Sequence, residues 1–142
     1  MESWLLMISI KNAKVCILLS MSTSIELLEA YKKGERYFRD LDFEEEEDFS
    51  GIDFSNSVFE KCFLHSTNFS GCNLSNTQFL SCNLKCIDLR EANLSNALIK
   101  NCSVECSMFK DAITTNFQFE ENWCYSATVS QKDFNTFFIN EG

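Results

Sequence analysis

The sequence predicts an all-β solenoid of about four coils, twenty residues and four sides to a coil, opened by a capping helix and closed by a short C-terminal helix. Three observations predict it. A large apolar residue recurs at every fifth position without a miss: Phe49, Phe54, Phe59, Leu64, Phe69, Leu74, Phe79, Leu84, Leu89, Leu94, Ile99, Val104 and Phe109. The residue two before each centre is small, being Ala, Cys, Ser or Thr everywhere from Ser57 to Ala112 except at Ile87, with Ile52 the other exception at the start. The whole pattern then repeats at twenty.

A period of five suits neither regular element. Five residues advance an α-helix by about 500°, which scatters the apolar groups around its surface. In a straight strand side chains alternate, so an odd spacing sends successive centres to opposite faces. The chain keeps them on one side only by bending once per repeat, and it must coil. The residue two before each centre points inward as well, hence its small size; the two isoleucines are expected to strain that slot. IDFSN at 52–56 lies over CNLSN at 72–76, ANLSN at 92–96 and AITTN at 112–116, which stacks Asn56, Asn76, Asn96 and Asn116. Ser55, Ser75, Ser95 and Thr115 form a second column, Cys62, Cys82 and Cys102 a third, and the outward pair Cys86 and Cys106 a fourth. No comparable recurrence occurs at fifteen, which a three-sided coil would require.

CNLSN, CNLKC, IDLRE and ANLSN, at 72–76, 82–86, 87–91 and 92–96, resemble the pentapeptide-repeat family, whose pattern is a small residue, Asp or Asn, Leu or Phe, and two polar residues. The resemblance covers 49–113 and weakens beyond. It implies a right-handed quadrilateral β-helix. The sequence departs from the pattern at Val58, Phe63, Gln78, Leu98, Ser103 and Met108, where Asp or Asn is usual, so local corner hydrogen bonding should be lost there.

Taken in order, residues 1–22 form an apolar extension. WLLMISI and VCILLSM are interrupted by Lys11 and Lys14, well below the roughly 20 residues that span a bilayer. The charges lie between the apolar pieces rather than before them, which argues against a signal peptide. Translation starting at Met21, with the extension poorly ordered, is the expectation. Residues 23–35 read as a capping helix, with Thr23 as N-cap and Glu26 as its capping-box partner. Ile25, Leu28 and Tyr31 are expected to face the first coil, Gly34 to end the helix, and Lys32 and Lys33 to suit its C-terminus. The β-helix should run over 36–129. Phe38 and Phe43 are five apart, but Phe43 and Phe49 are six apart, so a bulge or short loop is expected within Glu44 to Asp48. After Thr114 the small slot fails at Phe117 and Asn122, although Phe119, Cys124, Val129, Phe134 and Ile139 stay in phase. Residues 130–142 read as the C-terminal cap. Phe134, Phe137 and Phe138 have helical spacing and either cover the last coil or pair two subunits as a homodimer.

The 142 residues hold eight cysteines, a number that invites a metal or disulfide reading. Cys62, Cys82 and Cys102 fall in the small inward slot, where Cys acts as a compact hydrophobe. There is no C-x-x-C pair, and the one histidine, His65, is outward, so no metal site of the zinc type is expected. Cys86 and Cys106 are the candidate redox pair, within Cα reach of a disulfide but with parallel Cβ vectors. Abundant inward thiols suggest a reducing, cytoplasmic setting. No nucleophile, base and orienting partner come together, no phosphate loop or basic stripe appears, and no catalytic residue, cofactor, direct nucleic-acid contact or membrane contact is expected.

The net charge is −9, yet between Phe49 and Ile113 six acidic residues oppose five basic ones, which leaves −1. The excess is concentrated before the regular coils, in Asp40, Asp42 and the run Glu44 to Asp48. Quinolone-resistance members of the family bind DNA gyrase as acidic mimics of DNA. A nearly neutral rod without inserted loops fits that role less well than a rigid display of flat sides to an unidentified protein partner. The face to test carries Val58, Gln78 and Leu98 as an outward column, with Phe63 on the next side.

Overall fold

The computed structural model describes residues 24–43 and 46–139. The apolar extension, Thr23 and the tip of the expected bulge at Glu44 and Glu45 lie outside these residues. The described chain is a parallel β-solenoid of about four turns with a helix at each end. Helix α1 spans Ser24–Lys32. Strands β1 (Tyr37–Arg39), β2 (Val58–Glu60), β3 (Gln78–Leu80), β4 (Leu98–Lys100) and β5 (Gln118–Glu120) stack in sequence order as one parallel sheet. The other three sides are held by single parallel bridges, in the columns Asp42–Phe63–Asn83–Ser103–Trp123, Asp48–Asn68–Asp88–Met108 and Asp53–Asn73–Asn93–Ile113.

The bend that the five-residue period demands is a residue with positive φ, and it too recurs at every fifth position, from Gly51 and Asn56 through Asn116 to Glu121. Away from the sheet side most repeats close a four-residue turn: Thr67 N donates to Leu64 O at 3.2 Å, and Ala92 N donates to Leu89 O at 3.2 Å. The left-handed residue is third in that turn, as a type II turn requires, and Asn and Gly are frequent there because both tolerate φ near +60°.

All thirteen apolar centres are buried. Phe38, Phe59 and Phe79 stack with ring centroids 5.3 and 5.2 Å apart, so coils meet through aromatic faces. The small slot holds more than compact hydrophobes. Cys72 Sγ donates to Phe49 O at 3.0 Å, Thr77 Oγ1 to Phe54 O at 3.0 Å, Cys82 Sγ to Phe59 O at 3.1 Å and Cys102 Sγ to Phe79 O at 3.3 Å. Each is a donor reaching the carbonyl of an apolar centre one coil back, whereas Thr67 Oγ1 and Ser57 Oγ in the same slot have no such partner. Ile87 is fully buried in the same slot, and Ile52 packs against the core at its N-terminal end.

Helix α1 covers the first coil with Leu27 and Ala30 buried and Leu28 and Tyr31 packed against the core. Tyr31 Oη donates to Ser55 O at 2.9 Å, and the Arg36 guanidinium lies 3.6 Å over the Tyr31 ring. Ile25, expected to face the coil, is 66% exposed. The buried stripe is centred on Leu27, Ala30 and Tyr31, and at 100° per residue Ile25 falls on the opposite side. Gly34, with φ 101°, ends the helix: its N–H donates to Tyr31 O and that of Glu35 to Ala30 O, both at 3.0 Å.

The extra residue near Glu44 is visible in the register. Tyr37 pairs with Val58 and Asp42 with Phe63, both 21 apart, whereas Asp48 pairs with Asn68, 20 apart.

The C-terminal end departs from the expected run of coils to 129. β6 (Asn122–Cys124) turns back on β7 (Ala127–Val129) as an antiparallel hairpin, with Tyr125 and Ser126 at φ 49° and 71° in the turn. Two consecutive positive φ values define the type I′ geometry that two-residue hairpins favour. Helix α2 (Gln131–Asp133) follows and continues as a π-helical turn over Phe134–Phe138. Phe134 is buried with its ring centroid 4.9 to 5.1 Å from those of Phe109, Phe117 and Phe119, and Phe138 packs beside it. Phe137 is 58% exposed, so the cap uses two of the three aromatics with helical spacing.

Candidate functional site

The role of the family's Asp or Asn is legible in the corners. Its side-chain oxygen accepts the backbone N–H two residues on: Asp53 from Ser55 at 2.8 Å, Asn68 from Ser70 at 2.9 Å, Asn93 from Ser95 at 3.0 Å. Such local bonds compete with an extended ladder. The outward column of the sheet side, Tyr37, Val58, Gln78, Leu98 and Gln118, contains neither Asp nor Asn, and this is the side that forms full strands.

Three of the four residues expected to form an interaction face therefore come together. Val58, Gln78 and Leu98 are register-aligned on β2, β3 and β4, the aliphatic pair half-buried and Gln78 exposed. Phe63 stands on the adjoining side, 52% exposed, in the column that ends at Trp123, itself 48% exposed. Leu80 adds apolar surface on β3. Around this strip Tyr37 Oη donates to Glu60 at 2.5 Å, which together with partial burial pushes the Tyr37 phenol above its usual range. Lys100 Nζ lies 3.9 Å from Glu120. Trp123, Tyr125 and Ile113 are large exposed residues that sequence reasoning did not single out. Ile113 carried the same signal as Leu98, an apolar group where Asp or Asn is usual.

The two outward cysteines occupy one corner column. Both are exposed, with φ 57° and 59°, and Cys86 N donates to Glu105 O at 2.8 Å. Cys106 Sγ lies 3.1 Å from Tyr125 Oη. Partial burial and the neighbouring Cys106 push the Cys86 thiol up. Inside the coil, burial pushes Cys72 up to about 11, and Cys102 rises for the same reason, so these two inward thiols are protonated donors rather than nucleophiles.

A shallow groove of about 300 Å³ is lined by Ser70, Arg90, Glu91, Lys110 and Asp111. Its Arg90 is held by Asp88 through bonds of 2.8 and 3.0 Å, and its lining brings together no nucleophile with a base and an orienting partner. The serine ladder is corner chemistry: Ser75 Oγ donates to Asn73 Oδ1 at 2.8 Å. Among the described residues no three His, Cys, Asp or Glu side chains are grouped to hold a metal ion, and no helix is long and apolar enough to cross a membrane.

A family model described as a pentapeptide repeat region matches residues 52–128. Among solved structures, the pentapeptide repeat protein Rfr23 from the cyanobacterium Cyanothece 51142 is similar at 19% identity and a TM-score of 0.57, over 62% of this chain and 59% of that one. A pentapeptide repeat protein from Nostoc Pcc 7120, alr5209, matches at 23% identity and a TM-score of 0.41, over 73% of this chain and 81% of that one. A comparison with curated proteins finds no match.

Proposed function

The chain belongs to the pentapeptide-repeat family, and from that premise we propose that it is a non-catalytic interaction module that offers the β2–β4 side to a protein partner. One observation carries this reading. The side that lacks Asp and Asn in its outward column is the one that forms a continuous parallel sheet, and it presents Val58, Gln78 and Leu98 in register beside the half-exposed Phe63. A rigid, partly apolar strip with charged margins has the make-up of a docking surface, an apolar centre inside a polar rim. The reducing cytoplasm is the setting we propose.

Tagged full-length protein recovered from its native cytoplasm, beside a Val58→Lys, Leu98→Lys variant, tests the face. Both side chains are outward, so the variant should keep the fold. A partner held by the wild type and lost by the variant supports the reading, and equal recovery with both rejects this face. Recovery of only the chain itself would point to a homodimer, for which the exposed Phe137 in the C-terminal segment is the available apolar group.

A second reading, inhibition or protection of DNA gyrase or another DNA-handling enzyme, draws on the acidic residues before the regular coils. Asp40, Asp42 and Asp48 are exposed there. Their clustering at one end gives a local patch rather than a track along the rod. A gyrase supercoiling assay with purified protein separates the two readings, since only the second expects a change in supercoiling.

A further inference from the structure

Cys86 and Cys106 stand at the same corner of successive coils in nearly identical backbone conformations. The bond from Cys86 N to Glu105 O fixes those corners one coil apart, and the bond from Ser66 N to Lys85 O, also 2.8 Å, repeats the arrangement one coil earlier. Adjacent coils lie about 4.7–4.9 Å apart, and equal φ values direct the two Cα–Cβ bonds alike. The thiols therefore stand side by side rather than converging. A disulfide needs sulfurs about 2.05 Å apart and Cβ atoms within about 3.5–4.5 Å, which this clamped stack opposes. A soft metal ion between two thiolates suits the spacing, because bonds of about 2.3 Å on each side span about 4.6 Å.

We propose that Cys86 and Cys106 form a two-coordinate dithiolate site for a soft monovalent cation of the Cu(I) class. Thiolate ligands select such ions. Zn(II) asks for four ligands, a demand that no cluster among the described residues meets. On binding, each S–H bond breaks, its proton passes to solvent and a sulfur–metal bond forms, with no change of oxidation state. Lys85 and Glu105, the residues before Cys86 and Cys106, flank the site with Nζ 4.0 Å from the carboxylate, so their charges offset one another. Tyr125 Oη, already 3.1 Å from Cys106 Sγ, borders the site without being needed as a ligand. The buried thiols of Cys72, Cys82 and Cys102 are committed to carbonyl oxygens and shielded by the coil.

The full chain, reduced and kept free of oxygen, would be titrated with Cu(I) in competition with a chromophoric Cu(I) chelator. Wild type should take one ion per chain. Cys86→Ser and Cys106→Ser should each bind roughly 100-fold or more weakly, since loss of a ligand costs at least as much as the roughly 10–100-fold that loss of an outer-shell partner costs. Both cysteines are exposed, so these variants should keep the wild-type circular dichroism spectrum. Equal affinity in the wild type and the Cys86→Ser, Cys106→Ser double variant overturns the proposal, and so does undiminished binding by either single variant.

Discussion

Asn122 takes the place of Cys102 one coil later and makes the same bond with a different group. Its Nδ2 donates to Ile99 O at 3.0 Å, as Cys102 Sγ donates to Phe79 O at 3.3 Å. Its Oδ1 also accepts from Cys102 N at 2.9 Å, where in the coil before Cys102 Sγ receives Cys82 N at 3.4 Å. Asn122→Ala would leave both backbone groups buried without that partner and should cost roughly 2–4 kcal/mol. Asn122→Cys restores the column and should cost less. Urea midpoints of the two variants measure the difference, and equal losses would show that a thiol at this position does not replace the amide's bonds.

Phe59 lies between Phe38 and Phe79 in an aromatic stack that crosses three coils. Phe59→Ala should cost about 3–5 kcal/mol in equilibrium unfolding, since the coils above and below cannot close the gap. Leu84→Lys places an unpaired charge in the same core and should unfold the coil. Phe137→Ser, on the outer face of the cap, should change stability by no more than about 0.5 kcal/mol.

Asn76 sits at a corner with φ 57°. Asn76→Val should cost at least about 1–2 kcal/mol, because a β-branched residue resists this conformation, whereas Asn76→Gly should be close to neutral. Thermal denaturation of the pair separates backbone strain from loss of the side chain.

Asp53 is held below the usual carboxylate range chiefly by the Ser55 backbone N–H, and Asp88 chiefly by its hydrogen bond with Arg90. A carboxyl with a depressed folded pKa contributes stability that is complete above its unfolded value of about 3.9 and is lost as pH falls through the lower folded value. Wild type should therefore lose stability over a window that opens at about pH 4 and runs downward through the lowered folded values. Asp53→Asn keeps the corner acceptor without the charge, as Asn73 does in the next coil, and should flatten that loss. Urea midpoints at the two ends of the window provide the check.

The coil was legible because a period of five allows only one kind of chain path, and Phe49 to Phe109 hold it without interruption. The left-handed corner was partly written as well, in the columns of Asn that tolerate it. Hydrogen bonding inside the coil was not, since Cys62 or Cys82 reads as a small hydrophobe until the carbonyl beneath it is placed. The reversal at Tyr125 and Ser126 was hidden for a related reason: I′ turns announce themselves by Asn-Gly or Asp-Gly, and here an exposed Tyr-Ser pair makes the turn, with the Tyr125 N–H donating to Glu105 at 3.0 Å. Cys124 and Val129 stay half-buried against the core even though the strand has turned, so the apolar phase continued past the point where the winding stopped. The proposed face was visible as departures from the repeat, but its continuous sheet depends on pairing between coils that no single repeat records.

A parallel stack has no internal reason to stop, since whatever adds the next coil could equally add a neighbouring molecule along the same exposed edge. The hairpin ends that growth on the chain's own terms. Ala127–Val129 pairs backwards along β6, and the Gln131 side chain accepts the Phe119 N–H at 2.8 Å, so the edge left by β5 and β6 is occupied by groups that cannot template another parallel strand. The hairpin and the turn after it thereby cover the edge on which a second rod could stack, and removal of Ala127–Val129 with the segment that follows should promote end-to-end self-association.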